Sequence, residues 1–224
     1  MSIRIRNSKW RMYDLGTVQL AFRLVVVLIT SGGFVPFLPA AEGGSSDQSD
    51  EMQQEKSAEV VVRSKLNYLL SLPADYDQQP SHALLLFLHG AGERGDDQLD
   101  RLKVHGPPKL IARGRRFPCV VVSPQCPLNS WWDAGALSGL LDHIEQNYKI
   151  DPKRIYVTGL SMGGYGTWAL AMREPDRFAA IAPICGGGNT RAAKYLGKIS
   201  APIWAFHGAK DTVIPLSELR DMEK

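Results

Sequence analysis

Residues 159–163 read Gly-Leu-Ser-Met-Gly, the pattern G-x-S-x-G. A serine hydroxyl is a weak nucleophile until it stands clear of its neighbours and beside a base. Glycines two positions to either side permit a turn too tight for side chains, and such a turn presents the hydroxyl alone. The stretch before it, "RIYVTG", is apolar and β-branched and reads as a strand. The stretch after it, "MGGYGTWALAMREP", reads as a helix that Pro175 stops. In that context the first helical N–H groups point at an oxyanion formed beside Ser161. A simpler reading makes Ser161 a helix cap in a glycine-rich turn. The overlapping Gly164-Tyr165-Gly166-Thr167-Trp168-Ala169 fits the G-x-G-x-x-A of dinucleotide turns. It begins inside the helix, however, and no acidic residue closes the next strand, "PICGGG", so that reading is rejected.

The elements needed to hold such a serine are present. "EVVVRS" and "LNYLLSLP" read as two strands in a meander. "ALLLFLHG" is a continuous apolar run ending in glycine, as in a strand buried on both faces. "CVVVSPQ", "RIYVTG", "FAAIAPICG" and "PIWAFHG" are further strands. "ALSGLLDHIEQNY" has helical spacing at Leu137, Leu140, Leu141, Ile144 and Tyr148. Strand and helix alternate, which predicts an α/β fold with a mostly parallel, doubly wound sheet covered on both faces. Ligands of such sheets lie beyond the carboxyl ends of the strands. "HGAGERGDD", "SPQCP", "GLSMGG", "ICGGG" and "HGAKD" all fall there.

The chain has 224 residues, enough for one sizeable domain. Its net charge of +3 comes from the start, where Arg4, Arg6, Lys9, Arg11 and Arg23 face only Asp14 before residue 42. The rest is near neutral, without the basic stripe that nucleic-acid binding needs. Residues 1–41 read as a secretory signal peptide, with a basic start, an uncharged run from Leu24, and Ala40 and Ala41 at its end. The competing reading is an uncleaved membrane anchor, which Gly32, Gly33, Pro36 and Pro39 weaken. Residues 42–57 read as a flexible linker, and 58–224 as the folded domain. This organisation places the protein outside the cytoplasm, periplasmic or secreted, and touching a membrane only through an uncleaved leader. Cys119, Cys126 and Cys185 have no metal-ligand spacing; one pair bridges, or all three are small packing residues.

Taken together, "LPADYD", "LLLFLHGAGERGDD", "VVVSPQCP", "DPKRIYVTGLSMGGYGTWALAMREPDRFAAIAPICGGG" and "PIWAFHGAKDTVIP" resemble the α/β-hydrolase superfamily. The nearest likeness is to bacterial secreted esterases and predicted peptidases of the phospholipase/carboxylesterase or polyhydroxybutyrate-depolymerase type. The resemblance implies a serine hydrolase without cofactor or metal, cleaving a small-molecule, lipid or sugar ester. It places oxyanion donors at the backbone N–H of Ala91 or Gly92 and of Met162. It gives His89 a structural role in its loop rather than that of base. Glu93, Asp96 and Asp97 near His89 and His105 fit no strong metal template. The order of triad residues in this fold is serine, acid, histidine, which makes Asp211 the acid; a turn-forming role is the alternative. Trp131 and Trp132 either line the acyl pocket or pack.

The pattern departs from the resemblance at one point. No histidine follows Asp211, and "LSELRDMEK" reads as the helix after the acid. The preferred expectation is an active hydrolase truncated before a last strand, a histidine loop and a helix, which would leave "PIWAF" as a sheet edge. The alternatives are a non-catalytic binding relative, an enzyme with an unusual base, or a serine peptidase of prolyl-oligopeptidase type.

Overall fold

A computed structural model describes residues 2–5, 56–58, 64–189 and 199–222. The chain divides into one compact unit of Met1–Lys9 with Ser64–Lys224 and a second of Trp10–Arg63. The leader and linker therefore lie almost wholly outside the described residues, as does most of "EVVVRS". Among the described residues no helix is long and apolar enough to cross a membrane.

The first unit is built on a seven-stranded sheet. In chain order the strands are β1 (Ser2–Ile5), β2 (Tyr68–Ser71), β3 (His82–Leu88), β4 (Val120–Pro124), β5 (Ile150–Leu160), β6 (Ala180–Ile184) and β7 (Ile203–Phe206). Their order across the sheet is β1-β7-β6-β5-β3-β4-β2. The inner pairings are all parallel, as the alternation of strand and helix predicts. Both edges are antiparallel, β2 on β4 and β1 on β7. β7 is thus not an edge. The register Ser2↔Phe206 to Ile5↔Ile203 satisfies its outer backbone groups. Cleavage of a leader at residue 41 would remove β1 and bare β7.

Among the described residues four helices accompany the sheet: α1 (Gly106–Ala112), α2 (Ala134–Asn147), α3 (Met162–Arg173) and α4 (Leu216–Asp221). α1 opens with Pro107 and Pro108, whose missing N–H groups cost nothing in a first turn. In α2, Asp133 caps the first turn by accepting from Ala136 N at 2.7 Å. Leu137, Leu140, Leu141 and Ile144 are the buried residues of α2, as their spacing predicts. α3 packs on β3, β5, β6 and α2, and its Trp168 is fully buried.

Among the described residues the covering of the two faces is less even than the apolar runs predict. Burial alternates along β5 and β6, whereas β4 is buried throughout. Leu84, Leu86, Val157 and Ile181 join α2 and α3 in the core. Leu85, Tyr156, Ala180 and Trp204 line a hollow of about 640 Å³. A continuous apolar run cannot report this, because its alternate residues are apolar whether or not a helix covers them. The three cysteines are free, so no pair bridges.

Candidate active site

β5 ends at Leu160 and α3 begins at Met162, so Ser161 alone makes the turn between them. Its backbone sits at φ 57° and ψ −116°, a conformation that L-residues rarely adopt. Neighbouring elements hold it there. Ser161 N donates to Ile184 O at 2.9 Å, and its carbonyl accepts from Gly164 N at 2.8 Å and Tyr165 N at 3.2 Å. The side chain makes no capping hydrogen bond, which removes the helix-cap reading. The flanking glycines are required by contact. A Cβ on Gly159 would lie 2.2 Å from Gly163 O, and one on Gly163 only 1.9 Å from Leu88 O. The other glycines of the helix start have the same explanation. A Cβ on Gly164 would meet Ile184 O at 2.8 Å, and one on Gly166 would meet Trp132 at 2.9 Å. They serve close packing, in keeping with rejection of a dinucleotide turn.

The loop after β3 comes up against the serine. A Cβ on Gly90 would sit 3.7 Å from Ser161 Cβ, whereas one on Gly92 would meet nothing within 4 Å. Ala91 begins a 3-10 turn, Ala91–Glu93, that exposes Ala91 and Gly92. Met162, nearly fully buried, is the first residue of α3, where N–H groups have no helical carbonyl behind them. Arg94 ties this loop to the next. Its Nε donates to Ala91 O at 3.0 Å and a terminal nitrogen donates to Ser130 O at 3.2 Å. Buried Gln125 donates to Glu93 O and Gln98 O.

His89 has no ring nitrogen to spare. Nδ1 donates to Gly90 O at 2.6 Å and Nε2 accepts from Cys126 N at 2.9 Å, which fixes a neutral imidazole. Burial pushes its pKa below the usual histidine value, against the pull of the Gly90 carbonyl and Glu93. As pH falls below about 6.5 the unfolded chain takes up the proton first. Stability present above that pH is then lost progressively until pH passes the folded pKa. Denaturation midpoints between pH 7.5 and 5.5 are expected to fall, and His89→Gln should flatten the slope. An unchanged slope would show that His89 is not the group responsible.

The strand ends bring the third component close. Leu160 pairs with Ile184, and Ile184 with Phe206. Ser161, Cys185 and His207 therefore stand one residue past the ends of three neighbouring strands, which run about 4.8 Å apart. Asp211 follows in a turn closed by Asp211 N to Gly208 O at 3.2 Å. Its Oδ1 accepts from Val213 N at 2.9 Å and Ile214 N at 3.0 Å. Those N–H groups, with the Cys185 thiol and His207, hold its carboxyl below the ordinary carboxylate range. Oδ2 lies 3.8 Å from His207 Nε2, and that nitrogen is 2.8 Å from Ile214 O. Asp211 is therefore turn-forming through Oδ1, while Oδ2 faces the strand ends.

The structure separates the two tryptophans. Trp132 is buried, donates Nε1 to His89 O at 3.1 Å and packs edge-on to the His89 ring. Trp131 is 65% exposed and meets Tyr165 edge-on, with ring centroids 6.1 Å apart. Gly90, Arg94, Tyr165 and Cys185 stand around the candidate site, and sequence reasoning did not single them out. For Gly90 and Cys185 the signal was their place just past the ends of β3 and β6.

A family model described as "Dienelactone hydrolase family" matches residues 134–224. Over 150 residues the chain is 29% identical to a bifunctional acetylxylan esterase/xylanase of Neocallimastix patriciarum, covering 65% of this chain and 22% of that protein. Over 209 residues it is 26% identical to feruloyl esterase C of Emericella nidulans, covering 86% and 70%. A thermostable esterase of known structure aligns at 35% identity with a TM-score of 0.58, covering 70% of this chain and 46% of that one. The chain thus spans less than half the length of two of these three relatives. The parallel sheet with a strained serine at the β5–α3 turn, and sequence likeness running through the same segments, have one common explanation: the chain has the fold of α/β-hydrolase esterases, and its residues 134–224 are similar to the dienelactone hydrolase family.

Proposed function

We propose that the protein hydrolyses carboxylic esters through an acyl-enzyme on Ser161. The observation that carries this reading is the backbone of Ser161, strained at the start of α3 with Gly90 against its Cβ. Strain of this kind costs about 1–3 kcal/mol and persists where surroundings impose it for a task. In the proposed reaction Ser161 Oγ attacks the ester carbonyl carbon. The N–H of Met162 and that of Ala91 or Gly92 receive the oxyanion, and contact of Gly90 with Ser161 favours Ala91. A donor in that position is worth about 3 kcal/mol to the transition state. The alcohol then leaves with the proton, and water releases the acid. Asp211 is the acid that orients a histidine. The named substrates of the relatives, acetylxylan and feruloyl esters, suggest acyl groups carried on sugars. No cofactor takes part. The basic start and apolar run of residues 1–41 support export.

A second reading is favoured by the histidines. His82 Nε2 pairs with Tyr76 O, His89 uses both nitrogens, and His207 Nε2 pairs with Ile214 O. His105 faces Glu93, and His143 stands exposed beside Asn147. Among the described residues none of these contacts places a ring on Ser161; a relative that binds esters without turnover is the alternative reading. A fluorophosphonate probe distinguishes the two. Active hydrolysis predicts a phosphonyl adduct mapped to Ser161 and absent from Ser161→Ala. Ester turnover that survives Ser161→Ala would sink the first reading, and tight ester binding with neither labelling nor turnover would establish the second.

A further inference from the structure

Trp131 stands out among the exposed large apolar residues because of what it touches. It sits in the loop between β4 and α2, and that loop is tied to the Ala91 turn by Arg94. Its ring meets Tyr165 at 89°. Tyr165 lies one helical turn beyond Ser161 and donates its N–H to the Ser161 carbonyl, which puts it on the nucleophile's side of α3. The Tyr165 ring is itself fixed. Its hydroxyl donates to Glu218 at 3.3 Å and also meets the Gly187 backbone. Trp131 in addition lines a cavity of about 260 Å³ with Leu66, Pro127, Trp132 and Ala136. A loop tryptophan left 65% in water forgoes the burial its ring could gain, and its buried neighbour Trp132 shows that the loop can bury one.

We propose that Trp131 and Tyr165 form an aromatic subsite that takes a ring carried by the ester substrate. This deepens, and rests on, the reading of Ser161 as an ester nucleophile. Two flat faces near a right angle suit a planar ring, which can stack on one and meet the other edge-on. The ring belongs to the acyl group or to the alcohol, and the two sources are separable by experiment. A short aliphatic ester gains nothing from either face. Trp131 is here a specificity residue, with no part in bond making.

The test compares kcat/KM for methyl cinnamate, benzyl butyrate and methyl butyrate in the wild-type protein, Trp131→Ala and Trp131→Phe. The cinnamate-to-butyrate ratio is expected to fall about 10-fold in Trp131→Ala, chiefly through KM, and to be largely kept in Trp131→Phe. A fall confined to the benzyl ester would place the ring on the alcohol side. Both ratios unchanged would overturn the subsite. Calorimetric titration of cinnamate, benzyl alcohol and butyrate into Ser161→Ala tests the subsite even if the protein turns over no ester. A ring-bearing ligand should bind about 10-fold more tightly than butyrate, and a further Trp131→Ala should abolish that preference. Equal binding of all three would reject the subsite, whereas a preference without turnover would keep it and reject the esterase reading.

Discussion

Replacing Ser161 with glycine is expected to abolish ester turnover and, at the same time, to make the protein more stable. The two effects have one origin. At φ 57° and ψ −116° the serine Cβ stands in a conformation suited to glycine. Relief of that strain is worth about 1–3 kcal/mol. Glycine returns part of this, roughly 0.5–1 kcal/mol, through its greater freedom in the unfolded chain. A net gain of about 1 kcal/mol should appear in chemical denaturation. Turnover should drop by at least about 10³-fold, because loss of the nucleophile leaves only what oxyanion donors and binding supply. Ser161→Ala serves as the comparison. It removes the hydroxyl but keeps the Cβ, so it should lose the same activity without gaining stability. If Ser161→Gly and Ser161→Ala prove equally stable, the strain does not reside in the Cβ. If Ser161→Gly retains turnover, the nucleophile lies elsewhere.

The legibility of this site follows from what local sequence encodes. Ser161 could be read because strand, tight turn and helix are all local and each leaves its own residues. Asp211 could be read because its turn directly follows an apolar strand. Trp131 and Trp132 could not be told apart. Neighbours in an extended segment point opposite ways, and which way meets the core depends on His89 and Gly166, distant in sequence. Arg94 escaped notice because its partners are carbonyls, which every residue has. β1 left a faint trace, the alternation of Ile3 and Ile5 with Arg4 and Arg6. A basic start before an apolar run carries the stronger leader signal, and four residues are too few to outweigh it. The pairing with β7 spans about two hundred positions and is a property of the folded sheet alone.

Gly163→Ala should be the most damaging of the small substitutions, and Gly139→Ala, the same chemical change in the neighbouring helix, should stabilise. At Gly163 the added Cβ would lie 1.9 Å from Leu88 O, 2.5 Å from Leu88 C and 2.8 Å from His89 O. These are backbone atoms at the end of β3, with no rotamer to yield. The strand end or the start of α3 must move, and overpacking against rigid neighbours costs about 3 kcal/mol or more. The same movement carries Gly90 away from Ser161, so whatever protein folds should also lose activity. Gly139 is exposed in the middle of α2, and a Cβ there meets nothing within 4 Å. Helix propensity then acts alone and favours alanine by about 1 kcal/mol. Paired denaturation curves measure both changes against one wild type. Opposite signs are required if α3 approaches β3 as closely as these distances require. A Gly163→Ala protein of ordinary stability would mean that the helix start stands farther from Leu88, and the oxyanion geometry built on that approach would fall with it.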